Sequence, residues 1–327
     1  MDCGQCWDCR LSHDCPCRSV YSKKCKVSAG KFFDIPYYDE VINDSLIGFK
    51  EDGSVLFCFI KNSIPQEKRE EYKKIIRPLA KSKTKNRGAS AGPVNLSRFP
   101  PKAVELVDKH GNAFTDGKER YSVYYKEADG KVVNRCQSNM VRCGVAGYFD
   151  KVAGLPCRMV GWSTKNPVKH NKLCELARDI QKTHEEYEPK SYNFQKSESE
   201  KSPNYLFNGS IYSTMTLNYD FRTASHLDKG DLIGGLSTLT ILEDIPNNYE
   251  GFYLGLPEYK ICFDIRDGDT LIFDAHEYHA NTDYKVLSEE LGYDDLQGNY
   301  FAGRISIVCY LRDKLKNCPI INETEDY

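Results

Sequence analysis

The chain has 327 residues, 40% of them hydrophobic, enough for one large or two modest globular domains. No run approaches the ~18 apolar residues of a membrane span, and the Met1-Asp-Cys-Gly-Gln-Cys6 start lacks an apolar signal region, so an intracellular protein with no membrane contact is expected. The net charge of −2 hides an asymmetry: residues 61–90 carry ten Lys/Arg against three Glu, whereas from Tyr219 onward nine Lys/Arg face twenty-one Asp/Glu.

Fourteen Cys without a signal sequence read as reduced thiols and metal ligands rather than a disulfide framework. Six of them crowd into the first 25 residues. Cys3, Cys6, Cys9, Cys15 and Cys17 have the density of a thiolate site suited to tetrahedral zinc, which would then order an arm too short to build a core. They lack the paired spacing of a zinc ribbon, and a reduced, disordered tail is the alternative reading.

From Lys31 the pattern is mixed α and β. Residues 55–60 form a short apolar strand, and 65–77 a charged helix with Pro65 in its first turn, ending before Pro78. The basic cluster continues to Arg87 and is either a solvated helix face or a contact for a polyanion. Asn86-Arg-Gly-Ala-Ser-Ala-Gly92 is a small-residue loop that lets the backbone approach a neighbour closely. Turns at Lys109-His-Gly-Asn112 and Asp129-Gly130 mark two hairpins, 121–125 alternates as a strand, and 169–187 is an amphipathic helix with Leu173, Leu176, Ala177 and Ile180 on one face. The polar run 188–204 reads as a loop and as the best internal boundary.

Beyond Asn204, short strands at 210–218, 221–228, 235–243, 259–265, 269–274 and 304–311 suggest a sandwich or jelly roll. No dinucleotide fingerprint, P-loop or serine-hydrolase elbow is present. His226 and Asp228, two apart on a strand, point the same way, and Arg222 joins them if the alternation holds. An imidazole and a carboxylate side by side are two thirds of a 2-His-1-carboxylate iron site. Residues 267–279 offer His276 and His279 as the third ligand. In the strand 304–310, Arg304, Ser306, Val308 and Tyr310 share one face; a guanidinium facing a barrel interior needs a partner, and a dicarboxylate supplies one.

His226-Leu-Asp228, His279-Ala-Asn-Thr282 and Gly303-Arg-Ile-Ser-Ile-Val-Cys-Tyr310, with the wider run 216–231, resemble the Tet/J-binding-protein branch of the Fe(II)/2-oxoglutarate dioxygenases, which oxidise the methyl group of a pyrimidine in nucleic acid. The resemblance is dense over about 210–318, patchy from Asn86, and does not cover the Cys-rich arm. It implies an α+β fold: a double-stranded β-helix (jelly roll, cupin-like) core at 205–318, an α/β region at 31–190 packing on it, the arm at 1–30 and a tail at 319–327. It makes His226, Asp228 and His279 the iron ligands and gives Arg304 the distal carboxylate of 2-oxoglutarate, assisted by Ser306 or Tyr310. Asn218 and Arg222 become further co-substrate residues, and Asp231 a contact to the target base. DNA is the implied partner, with the basic 61–90 segment against its phosphates; no protein partner follows. A hydroxylase of a protein side chain or small molecule shares the same iron and co-substrate residues. The acidic excursion 282–302 lengthens the family's spacing between the distal His and the Arg, and a lid or rim is expected there.

Overall fold

The computed structural model describes residues 10–13, 18–95, 103–133, 137–151, 154–296 and 298–320. Cys3, Cys6, Cys9, Cys15 and Cys17, the expected zinc ligands, lie outside the described residues.

Side-chain alternation decides how the layers stack. The first part of the chain supplies β1 (Ser19–Tyr21), β2 (Glu40–Ile42), β3 (Leu46–Lys50), β4 (Val55–Ile60), helix α1 (Gln66–Ala80), β5 (Lys83–Thr84), a hairpin of β6 (Ala103–Val107) and β7 (Tyr124–Glu127), then β8 (Val141–Phe149) and β9 (Arg158–Met159). Three helices follow: α2 (Gly161–Lys165), α3 (Pro167–Tyr187) and α4 (Pro189–Ser199). The remainder is β: β10 (Thr214–Tyr219), β11 (Ser237–Glu243), β12 (Tyr249–Gly251), β13 (Leu254–Leu256), β14 (Ile261–Phe263), β15 (Thr270–Phe273), β16 (Ala280–Asn281), β17 (Tyr284–Val286), β18 (Tyr293–Asp294), β19 (Asn299–Tyr300) and β20 (Arg304–Tyr310).

A ten-stranded sheet runs β1-β3-β4-β15-β11-β20-β10-β8-β5, with β9 paired to β8, and a second sheet runs β16-β13-β14-β2. The strands of residues 40–60 and 141–149 therefore pair directly with strands of the C-terminal half. Two apolar layers result. Leu239, Ile241, Leu271 and Phe273 of the large sheet meet Leu254, Leu256, Ile261 and Phe263 of the small one, which is the jelly-roll interior. On the outer face, Met215, Leu217, Ile305 and Ile307 meet Tyr72, Ile76 and Leu79 of α1 and Leu173, Leu176 and Ile180 of α3. The period-2 pattern of β20 is thus used on both sides: odd positions under the helices, even positions facing inward.

Four local expectations are corrected. Helix α1 continues through Pro78 to Ala80, because Leu79 and Ala80 extend its buried stripe. The 188–204 run is a helix rather than a loop: Tyr192, Gln195 and Ser199, at helical spacing, form its buried face, and Gln195 Oε1 accepts the Leu236 amide at 2.9 Å. Residues 221–228 form no continuous strand, since Asp220 at φ +48° breaks the chain direction after β10. The thiols are not all reduced, as Cys157 and Cys318 are disulfide-bonded, whereas Cys25, Cys58, Cys143, Cys174, Cys262 and Cys309 are free.

The acidic excursion folds back onto the body. Tyr284 stacks on Phe252 with ring centroids 4.1 Å apart, and both carboxylate oxygens of the buried Asp294 accept from the Arg142 guanidinium. No helix among the described residues is long and apolar enough to cross a membrane.

Candidate active site

His226 and His279 form a bridge of their own. Each amide donates to the other's carbonyl at 3.1 Å, the pairing that sets two side chains on the same side of a ladder, and their rings lie 4.2 Å apart. The Asp228 amide donates to Ala275 O at 2.9 Å, which brings the carboxylate onto the same side. Asp228 Oδ1 is 3.8 Å from His226 Nε2, and Oδ2 is 3.6 Å from His279 Nε2. The three side chains offer one ligand atom each, all within 4.8 Å of one another.

The second nitrogen of each ring is engaged: His226 Nδ1 with Ala224 O at 2.8 Å and His279 Nδ1 with Glu277 O at 3.0 Å. A carbonyl can only accept, so both Nδ1 atoms carry the proton and both Nε2 lone pairs face the carboxylate. Burial, reinforced by the neighbouring His279, pushes the His226 imidazole down to about 4, the neutral form a metal requires. Burial opposes ionisation of Asp228, but the two imidazoles in their protonated form, together with Arg87, outweigh it and hold this carboxyl below the usual range. His276 is not part of the group; its Nδ1 sits 3.4 Å from Asp274 Oδ1.

The donor set opens into a cavity of about 320 Å³ between the two sheets. Arg304, 3% exposed, projects into it from the start of β20, its guanidinium 4.7 Å above the Phe252 ring. Asp220 fixes that strand end by accepting from the amides of Gly303 at 3.0 Å and Arg304 at 2.7 Å. Among the described residues no carboxylate forms a salt bridge with Arg304, and its Nε is buried without a hydrogen-bond partner. Asn218 faces Ser306 across the β10–β20 ladder and donates to its hydroxyl at 3.2 Å, leaving Asn218 Oδ1 buried and unpartnered. Orphaned donors and acceptors converging in one cavity are what a polar ligand would satisfy. A carboxylate fits the guanidinium, and two imidazoles with one carboxylate suit Fe(II), so the residues present fit both groups.

Arg222 is a correction. It lies outside this cavity, bound to Asp34 and set over the Phe32 ring at 4.9 Å, where it lines a neighbouring cleft. Residues 221–225 between β10 and the His226 bridge are not a strand, so no alternation sets Arg222 on the side of His226. Asp231 does line the cavity, but one oxygen accepts from Ser237 at 2.5 Å, and burial together with Asp228 pushes its carboxyl up. Part of the basic 61–90 segment is spent internally: Lys61 binds Asp269, Lys68 binds Asp179, Arg69 binds Asp267 and Arg77 binds Asp244.

One residue of the site was read from the sequence only as part of the basic 61–90 segment. Arg87, in the small-residue loop after β5, lines the cavity close to Asp228 and Asp231, and its Nε is sealed from solvent without a partner. Its only signal was the Asn-Arg-Gly motif itself.

The family model of the Tet/JBP oxygenase domain of the 2OGFeDO superfamily matches residues 144–313, more than half of the chain and all of the site except Arg87. The chain belongs to this family. Iron and 2-oxoglutarate are the groups that superfamily implies, in agreement with the donor set. Among curated relatives, the bifunctional helicase and thymine dioxygenase JBP2 of Trypanosoma brucei brucei is 35% identical over 55% of this chain and 15% of its own length. Thymine dioxygenase JBP1 of the same organism is 32% identical over 55% of this chain and 20% of its own length. The chain thus matches only about a fifth or less of these relatives. The solved structure of NgTET1 in complex with 5mC DNA superposes with a TM-score of 0.51 at 15% identity, covering 97% of this chain and 91% of that one, a likeness of fold.

Proposed function

We propose that this protein oxidises the methyl group of a pyrimidine base in DNA, using Fe(II) and 2-oxoglutarate. The observation that carries the reading is the meeting, in one buried cavity of a Tet/JBP oxygenase domain, of a His-Asp-His donor set and an unpaired guanidinium. In it, His226, Asp228 and His279 hold the iron, and their backbone-bound Nδ1 atoms keep both rings aimed at it. Arg304 pairs with the far carboxylate of 2-oxoglutarate, and Asn218 and Ser306 supply the neighbouring polar contacts. When bound, iron and 2-oxoglutarate with O2 supply an oxidant able to hydroxylate a C–H bond, with succinate and CO2 as co-products.

The protein's share is positioning and exclusion of water. Leu239, Leu254, Phe273 and Val308 wall the cavity with apolar surface, and Asp231 stands at the side where a base would sit. A base stacked in a duplex does not reach a buried cavity, so the target is flipped out. DNA as substrate is supported by the named activity of the two trypanosome relatives, thymine dioxygenases, and by the 5mC DNA in the NgTET1 complex.

The test is anaerobic loading with Fe(II), then O2 and 2-oxoglutarate with thymine DNA and 5-methylcytosine DNA in parallel, read by nucleoside mass spectrometry. An oxidised methyl on one of the two is expected. Succinate formation on peptides with no change in either DNA would overturn the DNA reading and leave a side-chain hydroxylase.

A further inference from the structure

A second cavity, of about 620 Å³, adjoins the active site and shares Arg87, Tyr310 and Arg312 with it. The end of β8, the start of β9 and helix α2 line it, contributing Phe149, Arg158 and Trp162. The chemistry along this path alternates aromatic and cationic: Arg158 lies 5.9 Å and Arg312 5.1 Å from the Phe149 ring centroid, and the half-buried Trp162 packs one side on the helical core. Arg312 is matched by Asp150, which leaves Arg158, bonded only to the Pro156 carbonyl among the described residues, and Arg87 as unmatched cations. Asp228 and Asp231 offset part of the Arg87 charge from the active-site side, but its sealed Nε still has no acceptor.

Resting on the proposed DNA reading, we infer that this groove carries the DNA strand flanking the flipped pyrimidine, with bases against Trp162 and Phe149 and phosphates at Arg158 and Arg87. The reasoning is continuity and charge. A flipped nucleotide stays tied to its neighbours, so its backbone must run along the surface beside the active site, and this groove borders that site across Arg87, Tyr310 and Arg312. Stacking platforms combined with guanidinium groups are the means by which single strands are held without base readout. On helix α1, the other basic feature, Lys68, Arg69 and Arg77 are paired with carboxylates, which leaves Lys74 as its exposed cation.

The experiment uses the whole chain and a short fluorescein-labelled single-stranded oligothymidylate, followed by anisotropy across a salt series. Arg158→Glu is expected to weaken binding about tenfold or more and to make the salt slope shallower by about 0.7 per lost phosphate contact. Lys74→Glu on α1, exposed and outside the groove, is expected to bind like the parent chain. Trp162→Ala should cost roughly tenfold, the range for one stacked base. Because that residue also packs on the core, Trp162 fluorescence in a Trp7→Phe background gives the same reading with Trp162 intact: DNA should quench it. Unchanged affinity and slope in Arg158→Glu, with loss in Lys74→Glu, would move the strand to α1 and overturn the groove while leaving the DNA reading in place. A parent chain that binds no DNA and oxidises none would remove both.

Discussion

Arg304 shows how much a single side chain can be asked to do. Burial pushes its guanidinium pKa down, and among the described residues no carboxylate pairs with it, which is why we propose 2-oxoglutarate as its partner. Arg304→Gln keeps most of the volume and removes the fork. We expect 2-oxoglutarate affinity to fall by tenfold or more, in line with the about 1.5–3 kcal/mol of a charged hydrogen bond, with iron binding unchanged. Calorimetry of the iron-loaded protein under nitrogen measures both. Equal 2-oxoglutarate affinity in the variant would mean that the carboxylate is held elsewhere. At this scale the sequence was readable where spacing is short. Arg304 and Ser306 are two residues apart on β20, and local periodicity puts them on one side; His226 and Asp228 have the same spacing outside a strand and are set together by the His279 bridge and the Asp228 amide bond to Ala275. Arg222 was misread because residues 221–225, which separate it from the His226 bridge, are not a strand, and a period of two carries no information across them.

Among the elements, the β18–β19 hairpin of the acidic excursion is tied down by Asp294 and Arg142, both nearly sealed from solvent. Removing one partner of a buried pair strands the other, at about 3–5 kcal/mol. Asp294→Ala should therefore lower the urea midpoint markedly. Asp313→Ala, which breaks a partly exposed i,i+3 pair with Lys316, should cost under about 1 kcal/mol. Comparable losses in the two variants would show that the hairpin is held by other contacts. Strands with strong alternation, β20 above all, and the helix α3 stripe were legible because burial on one face writes itself into the period. Helix α4 was not: its buried face has Tyr192 as its apolar contact with the core, with Gln195 and Ser199 beside it, so no hydrophobic stripe marks it.

For the molecule as a whole, pH reports on a carboxyl the fold has buried far from the active site. Glu188, 0% exposed, has neither oxygen hydrogen-bonded among the described residues, with His13 Nε2 3.4 Å from Oε1. Burial raises it from 4.5 to about 8. The folded chain thus keeps a proton that the unfolded chain releases near pH 4.5. This group's contribution is complete below that pH and is lost as pH climbs toward about 8, by at most about 1.4 kcal/mol per unit. Glu188→Gln should flatten the fall in unfolding free energy between pH 5 and 8; parallel curves for the two proteins would refute the assignment.

The sequence by itself determined the chemistry of the donors, the local facing of Arg304 with Ser306, and a jelly-roll succession of short strands. These follow from side-chain type and a repeat of two, properties that need no partner. Only the tertiary structure decided which distant groups meet. The reciprocal bridge of His226 with His279 selects that histidine over His276, α1 and the acidic segments neutralise each other, and Arg87 arrives at the active site from a loop more than a hundred residues upstream of His226. Such meetings depend on strand register and sheet order, which are set by long-range packing and leave no trace in local pattern.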